Sequence, residues 1–512
     1  MFLRFLRIVS AFLLLGLGLY FASISRCTFV PFEQDKEMTT ALPGKGTAAA
    51  ELAEQVVGND SGTTAFFPLL SGIDALGARL KLIETAERSI DLKTFLIKPD
   101  AVGKLVWLEL FEAAERGVKV RLLFDDVFTT ARDDQIATLN AHPNVEIRAF
   151  NPLSRNCSFA MNFVLDFKRV NRRMHNKAMV VDGTIAVMGG RNIADEYYQI
   201  GTDHEFADFD LLLAGAVTDQ LSDAFDLYWN DRWAVPLDRI ASADPKPLQE
   251  IVARFRAQSE SPEFEAYTRA INSEFLKAVE LGKAARHDGS ARVVVDHPDK
   301  LRAPPGKGSR EVADELYDTL RGATSDILLI TPYFVPQQKI ASALADQAAK
   351  GRRVRVATNS LASTNHPYVH GGYASYREML LNAGVEFLEV RSDAPALVTG
   401  HDTPLTMHTK LAVIDGQTVF AGSTNVDPRS IDLNSEIAVI IKSASLADGI
   451  VSRVDALAPD YAFNVVLGQD GRLRWLYSGK TGPAIYDREP GAGLASRIVA
   501  FVTGWLPVEG QL

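Results

Sequence analysis

The chain contains one pattern of residues twice, and this repeat limits what it can fold into. Residues 174–192 read MHNKAMVVDGTIAVMGGRN, and residues 407–425 read MHTKLAVIDGQTVFAGSTN. The His, Asp and Asn positions of the two copies are separated by the same 233 residues (408 − 175, 415 − 182 and 425 − 192). Weaker matches, such as AAERGVKVRLLF at 113–124 and QAAKGRRVRVAT at 347–358, extend the repeat. A period this long predicts a duplicated domain rather than a solenoid, whose period is about 20–50 residues.

Strand-type and helix-type segments alternate through both copies, as in α/β domains. SIDLKTFLI at 89–97 and DILLITPYF at 326–334 are apolar runs typical of strands. We therefore predict two α/β domains related by a pseudo-two-fold axis, each with a mixed, mostly parallel sheet flanked by helices. The predicted segments are an N-terminal anchor or signal at 1–27, a tether at 28–62, the first domain at 63–240, a helical insertion at 241–290, the second domain at 291–465 and a tail at 466–512.

Composition excludes some classes of function. The 512 residues, 47% of them hydrophobic, are enough for two domains with substantial cores. The net charge of −10 argues against a nucleic-acid partner, because affinity for nucleic acid rests on neutralising its phosphates. The two cysteines provide neither a disulfide framework nor a zinc-binding set.

Both ends of the chain are apolar. After Arg4 and Arg7, residues 8–25 carry no charge, which is about the shortest length for a membrane-spanning helix. This segment predicts an anchor with the body on the outer side of the membrane, while a cleaved secretion signal and lipidation at Cys27 are alternatives. The last apolar stretch, 496–512, contains Trp505 and fits either a helix packed on the body or a contact with the membrane surface.

The repeated pattern has the form H-x-K-x4-D followed by G-x-x-N. Alternation along a strand places the His and the Lys on the same face. The catalytic candidates are His175, Lys177, Asp182 and Asn192 in the first copy and His408, Lys410, Asp415 and Asn425 in the second.

Two facing copies would bring together groups suited to a phosphoryl centre. Lys and Asn side chains stabilise negative charge on its oxygens, while one His attacks phosphorus and the other protonates the leaving alkoxide. No H-E-x-x-H or C-x-x-C spacing occurs, so we expect no metal or other cofactor.

Other polar residues are candidates for supporting roles. Asp208 and Glu436 follow their motifs and are expected to orient the His rings, with surface carboxylates at strand ends as the alternative. Ser423 has Gly190 as its counterpart, so a hydroxyl occurs in one copy only. His370 and Tyr373, in VHGGYASYR, are expected to line the mouth of the pocket and to contact substrate.

These motifs resemble those of the phospholipase D superfamily. FNPLSR at 150–155, TPYFVP at 331–336, NVDPRSIDLNSE at 425–436 and the final WLPVEGQL are similar to one bacterial branch, cardiolipin synthase C. One departure is Phe206-Ala207-Asp208, where other branches carry an aromatic residue, Arg and Asp.

The resemblance implies a phosphatidyltransferase at the bacterial inner membrane. A phosphohistidine intermediate would carry a phosphatidyl group from phosphatidylglycerol or phosphatidylethanolamine to a hydroxyl of phosphatidylglycerol, giving cardiolipin without a metal. In this family the more N-terminal His is the nucleophile, so the resemblance assigns that role to His175 and the role of the acid to His408.

Three other functions remain as alternatives. A phospholipase would pass the same group to water, giving phosphatidic acid, and a nuclease would use the same site on another phosphodiester. A lipid-binding scaffold would need neither motif, so two intact copies argue against it.

Overall fold

A computed structural model describes most of the chain. The described residues are 2–27, 36–57, 62–127, 129, 133–201, 204–240, 253, 261–394, 403–480, 482–506 and 509–511.

The first half alternates helices with strands. Its strands are β1 (Thr64–Leu69), β2 (Ser89–Thr94), β3 (Lys119–Asp125), β4 (Val145–Phe150), β5 (Ala178–Val181), β6 (Ile185–Gly189), β7 (Glu205–Ala207), β8 (Asp210–Gly215) and β9 (Ala234–Pro236). Its helices are α1 (Phe2–Cys27), α2 (Ala48–Val57), α3 (Gly72–Thr85), α4 (Ala101–Glu115), α5 (Asp133–Asn140), α6 (Phe159–Leu165), α7 (Phe167–Val170), α8 (Asp195–Tyr198) and α9 (Val217–Trp229), with a 3₁₀ turn at Leu237–Arg239.

The second half repeats this alternation. Its strands are β10 (His287–Val295), β11 (Asp326–Ile330), β12 (Arg353–Asn359), β13 (Glu386–Val390), β14 (Leu405–Met407), β15 (Leu411–Ile414), β16 (Thr418–Gly422), β17 (Ile437–Lys442), β18 (Ala462–Leu467), β19 (Leu473–Tyr477) and β20 (Ala484–Tyr486). Its helices are α10 (Pro262–Ile271), α11 (Glu274–Glu280), α12 (Glu311–Arg321), α13 (Gln337–Ala349), α14 (Pro367–Asn382), α15 (Ala444–Tyr461) and α16 (Leu494–Trp505), with short turns at Pro298–Leu301, Arg429–Leu433 and Glu509–Gln511.

In the described part of the large sheet, parallel pairing is confined to the centre of each half. The parallel pairs of the large sheet are β2–β3 and β3–β4 in the first half and β11–β12 and β12–β13 in the second. The motif strands are antiparallel, because tight turns at Asp182–Gly183 and Asp415–Gly416 reverse the chain between β5 and β6 and between β15 and β16. Parallel neighbours need a crossover of about a dozen residues or more. The prediction of a mostly parallel sheet is therefore wrong.

The two halves share one sheet and one apolar core. β1 pairs with β8 inside the first half and with β10 of the second half, where Thr64 lies opposite Gly289. A buried cluster between the halves includes Val180 of β5 and Val413 of β15. β7 and β14 form a separate parallel pair that also joins the halves. Both motif strands therefore lie in the core that joins the two halves.

The segment expected to be a tether packs on the first half where the structure describes it. Lys36 donates to the carbonyl oxygen of Ala234 at 2.8 Å, and Trp229 donates from its indole nitrogen to Thr39 at 2.9 Å. Residues 48–57 form α2, with three buried alanines. The parts at 28–35 and 58–61 lie outside the described residues.

The insertion and the tail are also folded where they are described. α10 packs on α3 and α4, and α11 packs on α3. The predicted helical insertion ends earlier than expected, because β10 begins at His287, and most of 241–260 lies outside the described residues. In the tail, β19 and β20 extend the sheet beyond β18, and α16 packs on α14.

The N-terminal segment is helical over Phe2–Cys27. In the described part of the chain, no helix is both long enough and apolar enough to cross a membrane. The structure does not support the predicted membrane helix.

The two cysteines are paired, which the sequence analysis did not predict. Cys27 at the end of α1 forms a disulfide with Cys157, just before α6, and their Cα atoms are 5.4 Å apart. The bond joins residues separated by 130 positions, so it ties the N-terminal helix to the first half. Two cysteines this far apart in sequence give no spacing signal, because only the fold brings them together.

We expect neither cysteine of the unreduced protein to react with iodoacetamide, and both to react after reduction and unfolding. Closing so long a loop stabilises a protein by about 2–4 kcal/mol, so Cys27→Ser should also lower the thermal midpoint. Mass spectrometry of alkylated peptides and calorimetry give the two readouts. Cys157→Ser is the matched control and should behave like Cys27→Ser, whereas alkylation of both residues without reductant would refute the disulfide.

Candidate active site

The start of each motif is hydrogen-bonded to the opposite half of the chain. The backbone amide of His175 donates to the carbonyl of Ser435 at 2.9 Å, and the amide of His408 donates to the carbonyl of Ala207 at 2.7 Å. These reciprocal bonds hold both histidines at the junction of the halves, where both side chains are largely buried.

His175 of the first half is paired with a carboxylate of the second half. Its Nδ1 lies 2.9 Å from Oε2 of Glu436. Ser423 donates its hydroxyl to the same oxygen at 2.5 Å. Burial would raise the pKa of Glu436, but its contact with His175 and the charge of Lys177 outweigh burial and lower that pKa. A charged carboxylate therefore orients this ring.

His408 of the second half has the reciprocal arrangement. Its Nδ1 lies 2.6 Å from Oδ2 of Asp208, which is fully buried. Burial would raise the pKa of Asp208, but His408 and Lys410 lower it. Asp208 and Glu436 are thus the acidic partners that the sequence predicted, but each serves the histidine of the other copy.

Packing explains why only one copy has a hydroxyl beside its carboxylate. A Cβ atom on Gly190 would lie 2.1 Å from Oδ1 of Asp208, so no side chain fits there. The backbone amide of Phe209 donates to that oxygen at 2.8 Å instead. In the second copy, Ser423 fills the equivalent position and donates to Glu436.

Both histidines have a low affinity for a second proton. Burial and the charge of Lys177 lower the pKa of His175, although Glu436 opposes them. Burial and the charge of Lys410 lower the pKa of His408 to about 3. Because a carboxylate accepts at each Nδ1, we assign the single proton to Nδ1. Each Nε2 therefore carries a lone pair suited to attack or to accept a proton.

The two lysines are buried cations in one small space. Burial lowers the pKa of Lys177 to about 7 and that of Lys410 to about 8, although the charges of Glu436 and Asp208 oppose the shift. Lys177 donates to the carbonyl of His175 at 2.7 Å, and Lys410 lies 3.2 Å from Nε2 of His408. Lys410 also lowers the pKa of Lys177, so the two charges repel each other. An anion between them would relieve this repulsion.

The two motif asparagines lie buried with unused hydrogen-bonding capacity. Asn192 donates to the hydroxyl of Tyr197 at 2.8 Å, and the Tyr197 ring is 5.2 Å from that of His408. Oδ1 of Asn192 and Oδ1 of Asn425 accept no hydrogen bond from the described part of the chain. These two oxygens are available to a bound hydroxyl or amide group.

Aromatic rings that the sequence analysis did not single out surround both histidines. The ring of Phe95 is 4.7 Å from that of His175. Phe206 and Tyr333 lie 5.4 Å and 6.5 Å from the ring of His408. Tyr333 belongs to TPYFVP, and Phe206 directly precedes Ala207-Asp208. Both stretches are among those compared with the phospholipase D superfamily above, which is the sequence signal that could have identified these rings. These rings exclude water from the space around the imidazoles.

The motif aspartates lie away from this space. The side chain of Asp182 accepts from the backbone amides of Glu87, Arg88 and Ser89 at 2.8–3.0 Å. Asp415 does the same for Thr324 and Ser325 at 2.7–2.9 Å. Each follows a four-residue strand of about 13 Å that begins near its histidine. The prediction that these residues are catalytic is wrong, because they fix the turn that ends each motif strand.

The two predicted substrate contacts also belong to the core. His370 lies 3.3 Å from Glu489, and Tyr373 donates to Glu389 at 2.9 Å. Both side chains are buried on α14, where Arg377 also bonds to Glu389 and Glu489. This network holds α14 on the second half, so the predicted role at the pocket mouth is not supported.

Other residues occupy the rim beside Tyr333. The ring of His366 is 5.3 Å from Tyr333 and 5.2 Å from Tyr368. Burial and the charge of Arg429 lower the pKa of His366, while burial raises the pKa of Tyr368 and Arg429 opposes that rise. Arg429 also donates to Asn171 at 2.8 Å. No group of three or more His, Cys, Asp or Glu residues in the described ranges is arranged to hold a metal ion.

Known proteins that are similar to this chain include cardiolipin synthases. A sequence profile described as "Cardiolipin synthase, PLD-like domain" matches residues 80–229 and 316–457. Cardiolipin synthase C of Escherichia coli K12 is 34% identical over 485 residues, which cover 92% of this chain and 100% of that protein. Cardiolipin synthase of Oceanobacillus iheyensis is 23% identical over 406 residues, which cover 79% of this chain and 70% of that protein.

A solved structure shares the overall fold. The phosphatidylserine synthase of Haemophilus influenzae Rd KW20 matches with a TM-score of 0.55 and covers 88% of this chain and 96% of that chain. At 14% sequence identity, this likeness shows the fold alone.

The crosswise pairing can be tested by removing each carboxylate charge. We expect Asp208→Asn and Glu436→Gln each to lower kcat by about 10²- to 10⁴-fold, because the imidazole loses the group that fixes its tautomer and stabilises its charged form. Steady-state kinetics on a soluble phosphodiester gives the measurement. Glu263→Gln is the control, since Glu263 pairs with Lys104 on α4 and should leave kcat unchanged. Wild-type kcat in both carboxylate variants would contradict the assignment.

A separate prediction concerns the turn carboxylates. Burial would raise the pKa of Asp415, but hydrogen bonds from the backbone amides of Ser325 and Thr324 lower it from 3.8 to about 2. The Asp415 carboxylate therefore stabilises the fold fully at pH values above the ordinary pKa of an aspartate. This contribution is lost as the pH falls from about 4 to about 2. Urea unfolding of wild type and Asp415→Asn should show the free energies of unfolding converging over that range. A constant difference down to pH of about 2 would contradict this expectation.

Proposed function

Because the chain belongs to the family of cardiolipin synthases with phospholipase D-like domains, we propose that it is a phosphatidyltransferase that makes cardiolipin. The donor is phosphatidylglycerol, with phosphatidylethanolamine as an alternative, and the acceptor is a hydroxyl of phosphatidylglycerol. The observation that carries the proposal is the pair of crosswise His–carboxylate contacts at one site. Each histidine is oriented by a carboxylate of the other half. Such a pair suits a reaction in which one histidine attacks phosphorus from one side and the other protonates the alcohol that leaves on the opposite side.

In the first step, Nε2 of His175 attacks phosphorus. A phosphorus–nitrogen bond forms while the bond to the leaving head group breaks. His408 gives a proton to the departing alkoxide, which leaves as an alcohol. The negative charge of the bound phosphodiester raises the pKa of His408 towards the range in which it holds that proton. Asp208 stabilises the charged ring until the proton is transferred.

The second step reverses the proton movement. A hydroxyl of phosphatidylglycerol gives its proton to His408 and attacks phosphorus, and the bond to His175 breaks. Lys177 and Lys410 stabilise the negative oxygens in both transition states. The surrounding aromatic rings favour an alcohol acceptor over water, which would give phosphatidic acid.

We further propose that the protein works on the outer side of the bacterial inner membrane. A disulfide between Cys27 and Cys157 supports an oxidising compartment, because cytosolic thiols are kept reduced. Large apolar side chains of α1, among them Phe12, Leu15 and Phe21, are exposed and support contact with lipid.

Product analysis with defined lipids tests the reaction. Vesicles of phosphatidylglycerol, with and without phosphatidylethanolamine, should yield cardiolipin detectable by mass spectrometry. Phosphatidic acid as the only product would identify a phospholipase instead. Single-stranded DNA at low salt should remain intact, and its cleavage would support a nuclease.

The two histidines should differ in their effect on the covalent adduct. We expect His175→Gln to abolish the adduct, because it removes the nucleophile. His408→Gln should still form it with a p-nitrophenyl phosphodiester, since that leaving group needs no proton. Rapid quench followed by peptide mass spectrometry measures the adduct. An adduct on residue 408 of the wild-type protein would reverse the two roles.

A further inference from the structure

α16 presents an unusual surface to solvent. Leu494, Phe501 and Trp505 are 75%, 67% and 80% exposed, and Ile498 and Val502 are also exposed. The helix contains no acidic residue, and its one charged residue, Arg497, donates to the carbonyls of Glu489 and Ala492. A contiguous apolar face of this kind marks an interaction site.

The opposite side of α16 is fixed to the body. Ala500 is buried, and a Cβ atom on Gly371 of α14 would lie 2.3 Å from the carbonyl oxygen of Ala500. The two helices therefore pack with their backbones in close contact. This packing sets the rotation of α16 and turns its large apolar side chains outward.

The chain that follows α16 is bonded to the rim of the active site. Glu509 accepts from the hydroxyl of Tyr376 at 2.6 Å, and Gln511 accepts from the side chain of Asn171 at 2.9 Å. Asn171 also accepts from Arg429, and it shortly precedes His175 in the chain. The described segment after α16 thus contacts Asn171, four residues before His175.

A second apolar patch reaches the same rim from the first half. Phe159 and Val164 of α6 and Phe167 of α7 are exposed. α7 ends at Val170, next to Asn171. The end of α7 and the end of the chain after α16 therefore meet at Asn171.

From this geometry we propose that α16, together with α6 and α7, seats the rim of the active site on the surface of a phospholipid bilayer. This inference rests on the proposed function, since phospholipid substrates keep their acyl chains in the bilayer while the phosphate enters the site. A tryptophan at the end of α16 suits the interface between head groups and chains. A second copy of the chain fits less well, because a helix of 12 residues is only about 18 Å long and a stable dimer buries about 800 Å² per partner.

The test uses the full chain and vesicles of phosphatidylglycerol and phosphatidylethanolamine. Trp505 emission, obtained by subtracting the signal of Trp505→Phe, should shift to shorter wavelength and be quenched by lipids brominated on their acyl chains. Ile498→Ser combined with Phe501→Ser should lower activity on vesicles about tenfold or more. Activity on dihexanoyl phosphatidylglycerol below its micelle concentration should not change. The matched control is Val279→Ser with Leu281→Ser, two exposed apolar residues at the end of α11, which packs on α3.

Several outcomes would overturn the proposal. One is Trp505 emission that vesicles do not change, together with full activity of the double variant on vesicles. Loss of activity on both substrates at an unchanged thermal midpoint would show that α16 acts on the chemistry. An emission shift that depends on protein concentration without vesicles, with a doubled sedimentation mass, would identify a second copy. If the wild type converts neither substrate, the proposed function fails, while Trp505 quenching still tests the docking.

Discussion

The structure depends on the exchange of carboxylates between its two halves. Neither histidine is oriented by its own copy of the motif, since His175 needs Glu436 and His408 needs Asp208. A single copy would leave each of these buried polar groups without its partner, which is costly in a low-dielectric interior. The duplication therefore supplies two copies of the reactive groups, and each half also provides the carboxylate that orients the histidine of the other half.

The buried basic groups of the site favour the binding of an anion. Two lysines and two imidazoles are buried at the junction of the halves, and Asp208 and Glu436 are the carboxylates in contact with the imidazoles. Burial lowers the pKa values of both lysines to about 7 and 8, so part of their positive charge is lost at neutral pH. A bound phosphodiester adds negative charge beside these groups, which raises their pKa values and restores the protonation that the chemistry requires.

Much of this site can be predicted from the sequence, and the errors have physical causes. The period-two pattern of an extended segment predicts that His175 and Lys177 share a face, although both lie just before β5, and acidic partners for the histidines follow from the chemistry. Which half supplies each carboxylate depends on the packing of whole domains, which no local pattern records.

Other predictions failed because one residue type serves several purposes. Asp182 and Asp415 belong to the repeated motif, yet their carboxylates end strands and bind backbone amides, since a tight turn needs such an acceptor. His370 and Tyr373 have the residue types of a binding site but fill the core, and Cys27 meets Cys157 only in the folded chain. The α/β pattern predicts parallel strands, but the short turns at 182–183 and 415–416 enforce antiparallel pairing of the motif strands.

The pairing of β1 with strands from both halves has a mechanical consequence. A hinge between the halves would have to break that ladder and expose the apolar cluster beside it. The distance between the two imidazoles is therefore a rigid property of the body, set when the chain folds and the same for every intermediate. Entry of the donor, exchange of the alcohol and departure of a product with four acyl chains must therefore take place without a hinge motion between the halves.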